Sequence, residues 1–318
     1  MAITVEQVKE LRELTGAGMM DCKRALEDAQ GDREKAVAAL REKGLASASK
    51  KAARIASEGL VVSALGSGRR VGSLVEVNSE TDFVARNQEF ASFAQEVAEM
   101  VAGAEALGTT VISDGQNISG LKLKSGQTAA EAAAALVAKI GENITVRRFA
   151  RLAVPEGCGL IESYIHMGGK IGVLIELRCA KADTVKHPEF LALARDLAMQ
   201  VAASKPEYVR RADVPAEILE SEKTIYRAQA VNEGKPAQVV EKIVTGRLEK
   251  YYKEVCLLEQ AFIKDDERSC AQVIAAAATA LGDSLDVGRF ARFERGEGLA
   301  KRSGDFVAEV RAQLGGQS

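Results

Sequence analysis

Residues 58–102 read EGLVVSALGSGRRVGSLVEVNSETDFVARNQEFASFAQEVAEMVA, and residues 158–202 read CGLIESYIHMGGKIGVLIELRCAKADTVKHPEFLALARDLAMQVA. At an offset of one hundred residues, without a gap, the two stretches are identical at thirteen of 45 positions. The identical pairs include Gly59/Gly159, Leu60/Leu160, Ser63/Ser163, Gly68/Gly168, Gly72/Gly172, Glu76/Glu176, Glu89/Glu189 and Phe90/Phe190. The chain therefore contains an internal duplication, and we expect the two copies to form similar structural units.

Each copy has the pattern of a β-hairpin followed by a helix. In the first part, the residues alternate as in two β-strands on either side of a glycine turn. The turn is at Ser67-Gly68 in one copy and at Gly168-Gly169 in the other. The second part has apolar residues at helical spacing, namely Phe90, Phe93, Ala94 and Val97, and then Phe190, Leu193, Ala194 and Leu197.

The duplication resumes further along the chain at a different offset. Residues 148–151 (RFAR) match residues 289–292, and Gly141 matches Gly282, at an offset of 141. The second copy therefore holds about forty-one extra residues. Residues 215–231 and 237–258 have helical patterns around a turn at 232–236. We predict an inserted antiparallel helical hairpin with a seam of Ile218, Ile225, Val239, Ile243 and Leu248.

The ends of the chain have helical patterns. Three short helices are predicted within residues 1–45, the third ending at Gly44, and residues 46–57 read as a linker, helical in part. The predicted fold is α+β, with two duplicated core subdomains that have antiparallel sheets, at 58–155 and 156–298, and the hairpin insertion at about 211–256. A C-terminal helical module is predicted at 299–318, because Asp305, Phe306, Val307, Val310 and Leu314 form an amphipathic pattern.

Composition argues against several classes of function. The chain has 318 residues, a net charge of −2, 4% aromatic residues and no Trp, which gives no general attraction to nucleic acid or to anionic membranes. No apolar run reaches the roughly 20 residues of a membrane span, and we expect no signal peptide. The five cysteines are far apart, without a CxxC motif. We therefore expect a cytoplasmic protein that binds neither nucleic acid nor membrane directly.

The search for a catalytic site is mostly negative. Residues 66–72 only approximate GxGxxG and fall on a predicted turn, and residues 168–170 lack the upstream glycine of a phosphate loop. The chain has two histidines, neither in a metal-ligand pattern with cysteine. A nucleophilic pair of Cys158 and His166 rests on composition alone. We expect no metal, no cofactor and no bond-making chemistry, and an undetected enzyme remains an alternative.

The duplication also provides a comparison between equivalent loops. Between strand and helix, residues 79–87 read SETDFVARN in the first copy, and residues 179–187 read CAKADTVKH in the second. Phe83 thus has Asp183 as its counterpart. What one copy has alone is a candidate for function. The alternative is that Phe83 packs under the first turn of its helix, with Asp82 near the cap.

At these residues the chain resembles the elongation factor Ts family. Residues 15–23 (TGAGMMDCK) and 80–87 (ETDFVARN) are similar to its two signatures. Further similarity covers residues 139–143 (KIGEN), 166–174 (HMGGKIGVL), 202–206 (AASKP), 296–298 (GEG) and Asp305-Phe306. One departure is Arg86, where lysine is common in the family. The resemblance extends over almost the whole chain and implies that the N-terminal helices form a domain similar to ubiquitin-associated domains.

The resemblance also implies a function. It implies that the protein binds the GTPase elongation factor Tu and accelerates loss of GDP, through a loop that disturbs the Mg²⁺ site. Carried over by position, the loop residues are Thr81, Asp82, Phe83 and Val84, and other contacts come from Met19, Met20, Ile140, Gly141 and His166. From the residues alone, Met19 and Met20 could instead form local core, and His166 could be a turn residue. A non-catalytic scaffold or chaperone is the alternative function.

Overall fold

Two antiparallel sheets form the middle of the chain, which a computed structural model describes over residues 3–300. The first sheet contains β1 (Glu58–Leu65), β2 (Val71–Ser79), β3 (Thr110–Asp114) and β4 (Thr145–Ala153), in the order β1-β2-β4-β3. The second has β5 (Gly159–His166), β6 (Ile171–Cys179) and β9 (Leu285–Glu294) in the order β5-β6-β9, and β7 (Ala261–Phe262) pairs separately with β8 (Asp265–Ser269). The predicted α+β class with antiparallel sheets is confirmed.

The duplicated residues occupy equivalent positions in the two sheets. Glu76 on β2 pairs with Arg148 on β4, and Glu176 on β6 pairs with Arg289 on β9. In both sheets the register shifts directly after that glutamate, which indicates the same bulge. The offset of 141 residues in the sequence therefore corresponds to the strand, β4 or β9, that pairs with the second strand of each hairpin.

Ten α-helices lie before, between and after these strands over residues 3–300, and the sheet of each copy is covered by the long helix that follows its hairpin. In chain order they are α1 (Val5–Thr15), α2 (Met19–Asp28), α3 (Arg33–Lys51), α4 (Asp82–Ala85), α5 (Gln88–Gly103), α6 (Ala129–Ile140), α7 (Pro188–Ser204), α8 (Ala216–Asn232), α9 (Ala237–Val255) and α10 (Cys270–Leu281). The apolar faces predicted for α5 and α7 are confirmed, since all eight residues are buried. Phe90 and Phe190 are fully buried at equivalent places, against the sheet of their own copy.

The two sheets pack on each other through the faces that these helices leave free. Their shared cluster pairs equivalent residues, including Val61 with Ile161 and Leu74 with Leu174. The hydroxyls of Ser63 and Ser163, one hundred residues apart, lie 3.1 Å from each other. A Cβ at Gly72 would lie 2.6 Å from Ile161, and one at Gly172 would lie 2.5 Å from Val61, so both positions require close approach. These reciprocal contacts give the core an approximate twofold relation.

The third N-terminal helix is longer than predicted. The prediction that it ends at Gly44 is wrong, because α3 continues through Gly44 to Lys51 and takes up part of the predicted linker. A glycine inside a helix costs only about 1 kcal/mol relative to alanine. Packing against α6 compensates that cost, since Gly44 is buried beside the Ala134 carbonyl. The domain limits at 45 and 57 stay predictions.

The inserted hairpin is present as α8 and α9, but its seam differs from the prediction. Ala230, Val240 and Val244 are buried between the helices, with Tyr226, Ile243 and Leu248 packed against them. Ile218, Ile225 and Val239 were predicted in the seam and are 40%, 45% and 40% exposed, so that part of the prediction is wrong. Small Ala230 lets the helices approach closely, and the contact selects one of two apolar stripes on α8.

After β9 the chain makes a turn that is fixed to the first sheet. The Gly296 N–H donates to Oε1 of Glu76 at 2.8 Å, and Arg147 and Arg148 pair with the same buried carboxylate. The predicted helix at 305–314, within the module predicted at 299–318, lies outside the described residues.

Candidate functional site

The segment after β2 presents one large apolar side chain to solvent. Phe83 lies in the single turn of α4 and is 81% exposed. The next two residues, Val84 and Ala85, are buried, and Val84 belongs to the core of the first copy. The interpretation in which Phe83 packs under its helix is therefore wrong. We call residues 80–85 the Phe83 loop.

Asp82 lies beside Phe83 at the first position of the turn. Its side chain is 47% exposed, and its Oδ2 accepts a hydrogen bond from Nη2 of Arg86 at 3.0 Å. An exposed pair one helical turn apart contributes at most about 0.5 kcal/mol. Asp82 can therefore exchange Arg86 for another polar partner at little cost.

Two residues from outside the loop, Glu142 and Asn143, hold its base. The Thr81 N–H donates to Oε2 of Glu142 at 3.0 Å, and Thr81 Oγ1 donates to Oε1 of the same carboxylate at 2.6 Å. One residue earlier, Oε1 of Glu80 accepts the N–H of Asn143 at 2.7 Å. Glu80 and Asn143 are themselves largely buried. These contacts, which the sequence reasoning missed, fix the backbone beneath Phe83.

The predicted residues Ile140 and Gly141 lie directly before this brace. Ile140 is the last residue of α6 and packs against the core of the first copy. Gly141 ends the helix in the left-handed conformation, with φ 89° and ψ 1°, which glycine adopts without a steric penalty. The next residue, Glu142, then reaches Thr81. The structure thus brings Ile140 and Gly141 to the foot of the Phe83 loop.

His166 lies in the second copy, as the last residue of β5. Its ring is exposed and its Nδ1 is 3.0 Å from the hydroxyl of Tyr164. Its carbonyl accepts the N–H of Lys170 at 3.1 Å and so closes the turn to β6. His166 therefore has a role in the turn and also presents its ring to solvent.

The methionine pair lies on the N-terminal helices. Met19 and Met20 begin α2 and are 40% and 61% exposed. The local core is built by other residues, namely Val8, Leu11, Cys22, Ala25, Leu26 and Ala36. The interpretation of both methionines as local core is therefore wrong.

A cleft opens beside the Phe83 loop. It has a volume of about 770 Å³ and its walls include Phe83, Lys170, Lys205, Glu294 and Leu299. The Lys205 ammonium, 2.8 Å from Oε2 of Glu294, and then the Arg292 guanidinium lower the pKa of that carboxyl to about 2. The cleft therefore combines apolar surface with paired charges, and it joins the loop of the first copy to the turn after His166.

The catalytic alternatives lose support from the geometry. Cys158 precedes the first residue of β5 and His166 is its last, so at about 3.3 Å per residue they are roughly 25 Å apart and form no pair. Residues 66–72 cover the turn between β1 and β2 and the first two residues of β2, and Arg69 and Arg70 in the turn pair with Glu162 and Glu156. Over residues 3–300, no group of three or more His, Cys, Asp or Glu side chains is placed to hold a metal.

The second histidine, His187, has a structural role as a helix cap. The His187 side chain caps α7 by accepting the N–H of Glu189 at 3.3 Å, just as Asn87, one hundred residues earlier, caps α5. Within the described part of the chain, every helix is too short or too polar to cross a membrane.

An exposed aromatic side chain on a braced surface loop, next to a mixed cleft, is typical of a protein that acts by binding another protein. The sequence profile of the family described as Elongation factor TS matches residues 80–297. Elongation factor Ts of Clostridium perfringens (strain ATCC 13124) is 49% identical over 99% of this chain and 100% of its own length. Those of Clostridium botulinum (strain Eklund 17B) and Trichlorobacter lovleyi are 48% and 47% identical over 98% and 99% of this chain, and 99% of their own lengths. The chain belongs to the elongation factor Ts family, whose members are translation elongation factors.

Proposed function

We propose that this protein is a guanine-nucleotide exchange factor for elongation factor Tu, and that its Phe83 loop promotes GDP release by disturbing the Mg²⁺ and phosphate site of that GTPase. Family membership and the similarity of residues 80–87 to a family signature support the proposal. The observation that carries it is the 81% exposure of Phe83 on a loop whose base is fixed. This activity requires no bond-making chemistry in the exchange factor.

The exchange factor must bind empty GTPase more tightly than GDP-loaded GTPase. The coupling is reciprocal, so the same factor weakens the binding of GDP. Weakening the binding of GDP ten-thousandfold requires that the exchange factor bind the empty GTPase about 5.5 kcal/mol more favourably than the loaded one. Burial of one Phe supplies roughly 1.5–3 kcal/mol. Phe83 therefore acts together with other contacts, and Asp82 competes for polar groups that orient the Mg²⁺ ligands.

The additional contacts come from several parts of the chain. Exposed Met19 and Met20 bind from the N-terminal helices, which we expect to form the domain similar to ubiquitin-associated domains. Ile140 and Gly141 bind from the foot of the Phe83 loop, and the ring of His166 binds from the second copy. We place this activity in the cytoplasm.

The test is the release of fluorescent GDP from elongation factor Tu. Changing Phe83→Ala and Asp82→Ala together should lower the maximum acceleration roughly ten- to hundred-fold, which corresponds to the burial of one Phe. Asp183→Ala is the matched control, because Asp183 is exposed at the equivalent position of the second copy. It should leave the acceleration unchanged.

Two results would overturn the proposal. Wild-type acceleration by the double variant, with binding intact, would remove the loop from the mechanism. Binding of the wild-type protein without any change in the release of GDP would identify a scaffold or chaperone instead.

A further inference from the structure

The carboxylate of Glu142 is the main polar connection between the Phe83 loop and the rest of the protein. It accepts hydrogen bonds from both the N–H and the hydroxyl of Thr81, at 3.0 and 2.6 Å. Glu142 is half-buried and directly follows the left-handed Gly141. Bonds to an ionised acceptor are roughly twice as strong as neutral ones. We call this contact the Glu142 clasp.

The second copy contains the same device. Asp283 follows the left-handed Gly282, as Glu142 follows Gly141, at the offset of 141 residues. Its carboxylate accepts the N–H of Lys181, the counterpart of Thr81, at 3.1 Å and the hydroxyl of Thr184 at 2.6 Å. The clasp is therefore a property of the duplicated fold, and the two copies differ in what their clasped loops present.

That difference concerns the exposed residue. The first loop presents Phe83, whereas the second presents Asp183 at the same position. Both loops have a second hydrogen bond of this kind, to a residue outside the loop. Glu80 accepts the N–H of Asn143 at 2.7 Å in the first loop, and the N–H of Ala180 donates to Asp283 at 3.2 Å in the second. The Asn143 side-chain amide in turn donates to the carbonyl of Arg54 at 2.9 Å. Two successive residues of the Phe83 loop are thus fixed from outside the loop.

We propose that Glu142 is a positioning residue for nucleotide exchange, which holds Thr81 so that Phe83 meets the GTPase in a preformed orientation. The inference rests on the proposed function, since it concerns the same loop. A loop that is ordered before binding loses less conformational entropy in the complex. Loss of the clasp should therefore weaken the action of Phe83 even though Glu142 itself need not touch the partner.

The test is a double-mutant cycle measured as GDP release at saturating exchange factor. Glu142→Ala should slow the maximum rate about ten-fold when Phe83 is present. In the Phe83→Ala background it should have less than about a two-fold effect, because its action passes through Phe83. Thr81→Val removes only the hydrogen bond from the hydroxyl and should give a smaller loss of the GDP release rate. It tests the clasp even if Glu142→Ala misfolds.

Asp283→Ala is the matched control, because it removes the equivalent clasp. It should lower the melting temperature as Glu142→Ala does, yet leave the rate of GDP release unchanged. Equal losses of rate from Glu142→Ala in both Phe83 backgrounds, or no loss in either, would overturn the positioning role. If Phe83→Ala alone has no effect, the proposed function of the loop fails instead, so the two failures are distinguishable.

Discussion

Phe83 is not explained by the folding of this chain alone. An 81% exposed phenylalanine removes little apolar surface from water, whereas its neighbour Val84 is only 7% exposed. The turn of α4 therefore separates two adjacent apolar residues, one for the core and one for solvent. Exposure of a large apolar group is expected where a partner covers it.

This separation gives a prediction about stability. Phe83→Ala should change the free energy of unfolding by less than about 0.5 kcal/mol, because surface substitutions have small effects. Val84→Ala should cost about 1–3 kcal/mol, because it leaves a cavity in the core. Urea denaturation of both variants measures the difference. A loss in Phe83→Ala as large as that in Val84→Ala would mean that Phe83 packs on the protein itself.

The sequence could identify Phe83 but not its exposure. The comparison with Asp183 pointed to it, because the duplicated copies differ there. Two adjacent apolar residues, however, carry no information about which one faces the core. Glu142 was missed although a signal was present, since Gly141-Glu142 and Gly282-Asp283 align as glycine followed by an acid.

At the scale of elements, ion pairs connect the ends of helices and strands. Lys205 directly follows α7, and its ammonium lies 2.8 Å from Oε2 of Glu294, the last residue of β9. Arg292 on the same strand adds a second partner at 2.9 Å. The Glu294 side chain is 26% exposed, so solvent screens this network only in part.

The pair predicts how stability depends on pH. The ammonium and guanidinium lower the pKa of Glu294 to about 2, below the roughly 4.3 of an unfolded chain. The ionised carboxylate therefore stabilises the folded state above about pH 4.3, and this contribution is lost as the pH falls toward 2. Lys205 is 59% exposed, so we expect roughly 1–2 kcal/mol after screening.

Urea unfolding of wild type and Glu294→Gln over a series of pH values tests this expectation. The difference in unfolding free energy should be largest near pH 7 and should shrink steadily below about pH 4. A difference that does not vary with pH would show that Glu294 contributes through packing rather than through charge.

For the helices too, the sequence predicted some buried faces correctly and not others. Spacing identified the buried faces of α5 and α7, because each packs one stripe on a sheet. For α8 the sequence offers two apolar stripes, and only contact with α9 places Tyr226 inward and Ile225 outward. The end of α3 was predicted wrongly at Gly44 for the same reason, since tertiary packing on α6 outweighed the low helix propensity of glycine.

At the scale of the whole molecule, the duplication supplies a shared core that supports the Phe83 loop, and a second copy with which that loop can be compared. The sheets share one core in which equivalent residues meet, such as Ser63 with Ser163. The repeated residues in the sequence predicted two similar units, but not that the free faces of their sheets pack together. The loop of one copy can diverge for binding because the other elements retain the fold. The central claim is that this assembly favours an empty GTPase over an occupied one.

The most direct test is calorimetric titration of elongation factor Tu in its nucleotide-free form and in its form with GDP and Mg²⁺. The wild-type protein should bind the empty form at least about a hundred-fold more tightly, and Phe83→Ala should reduce that ratio about ten-fold, because the preference and the release of GDP are thermodynamically linked. Equal affinities of the wild-type protein for the two forms would contradict the claim.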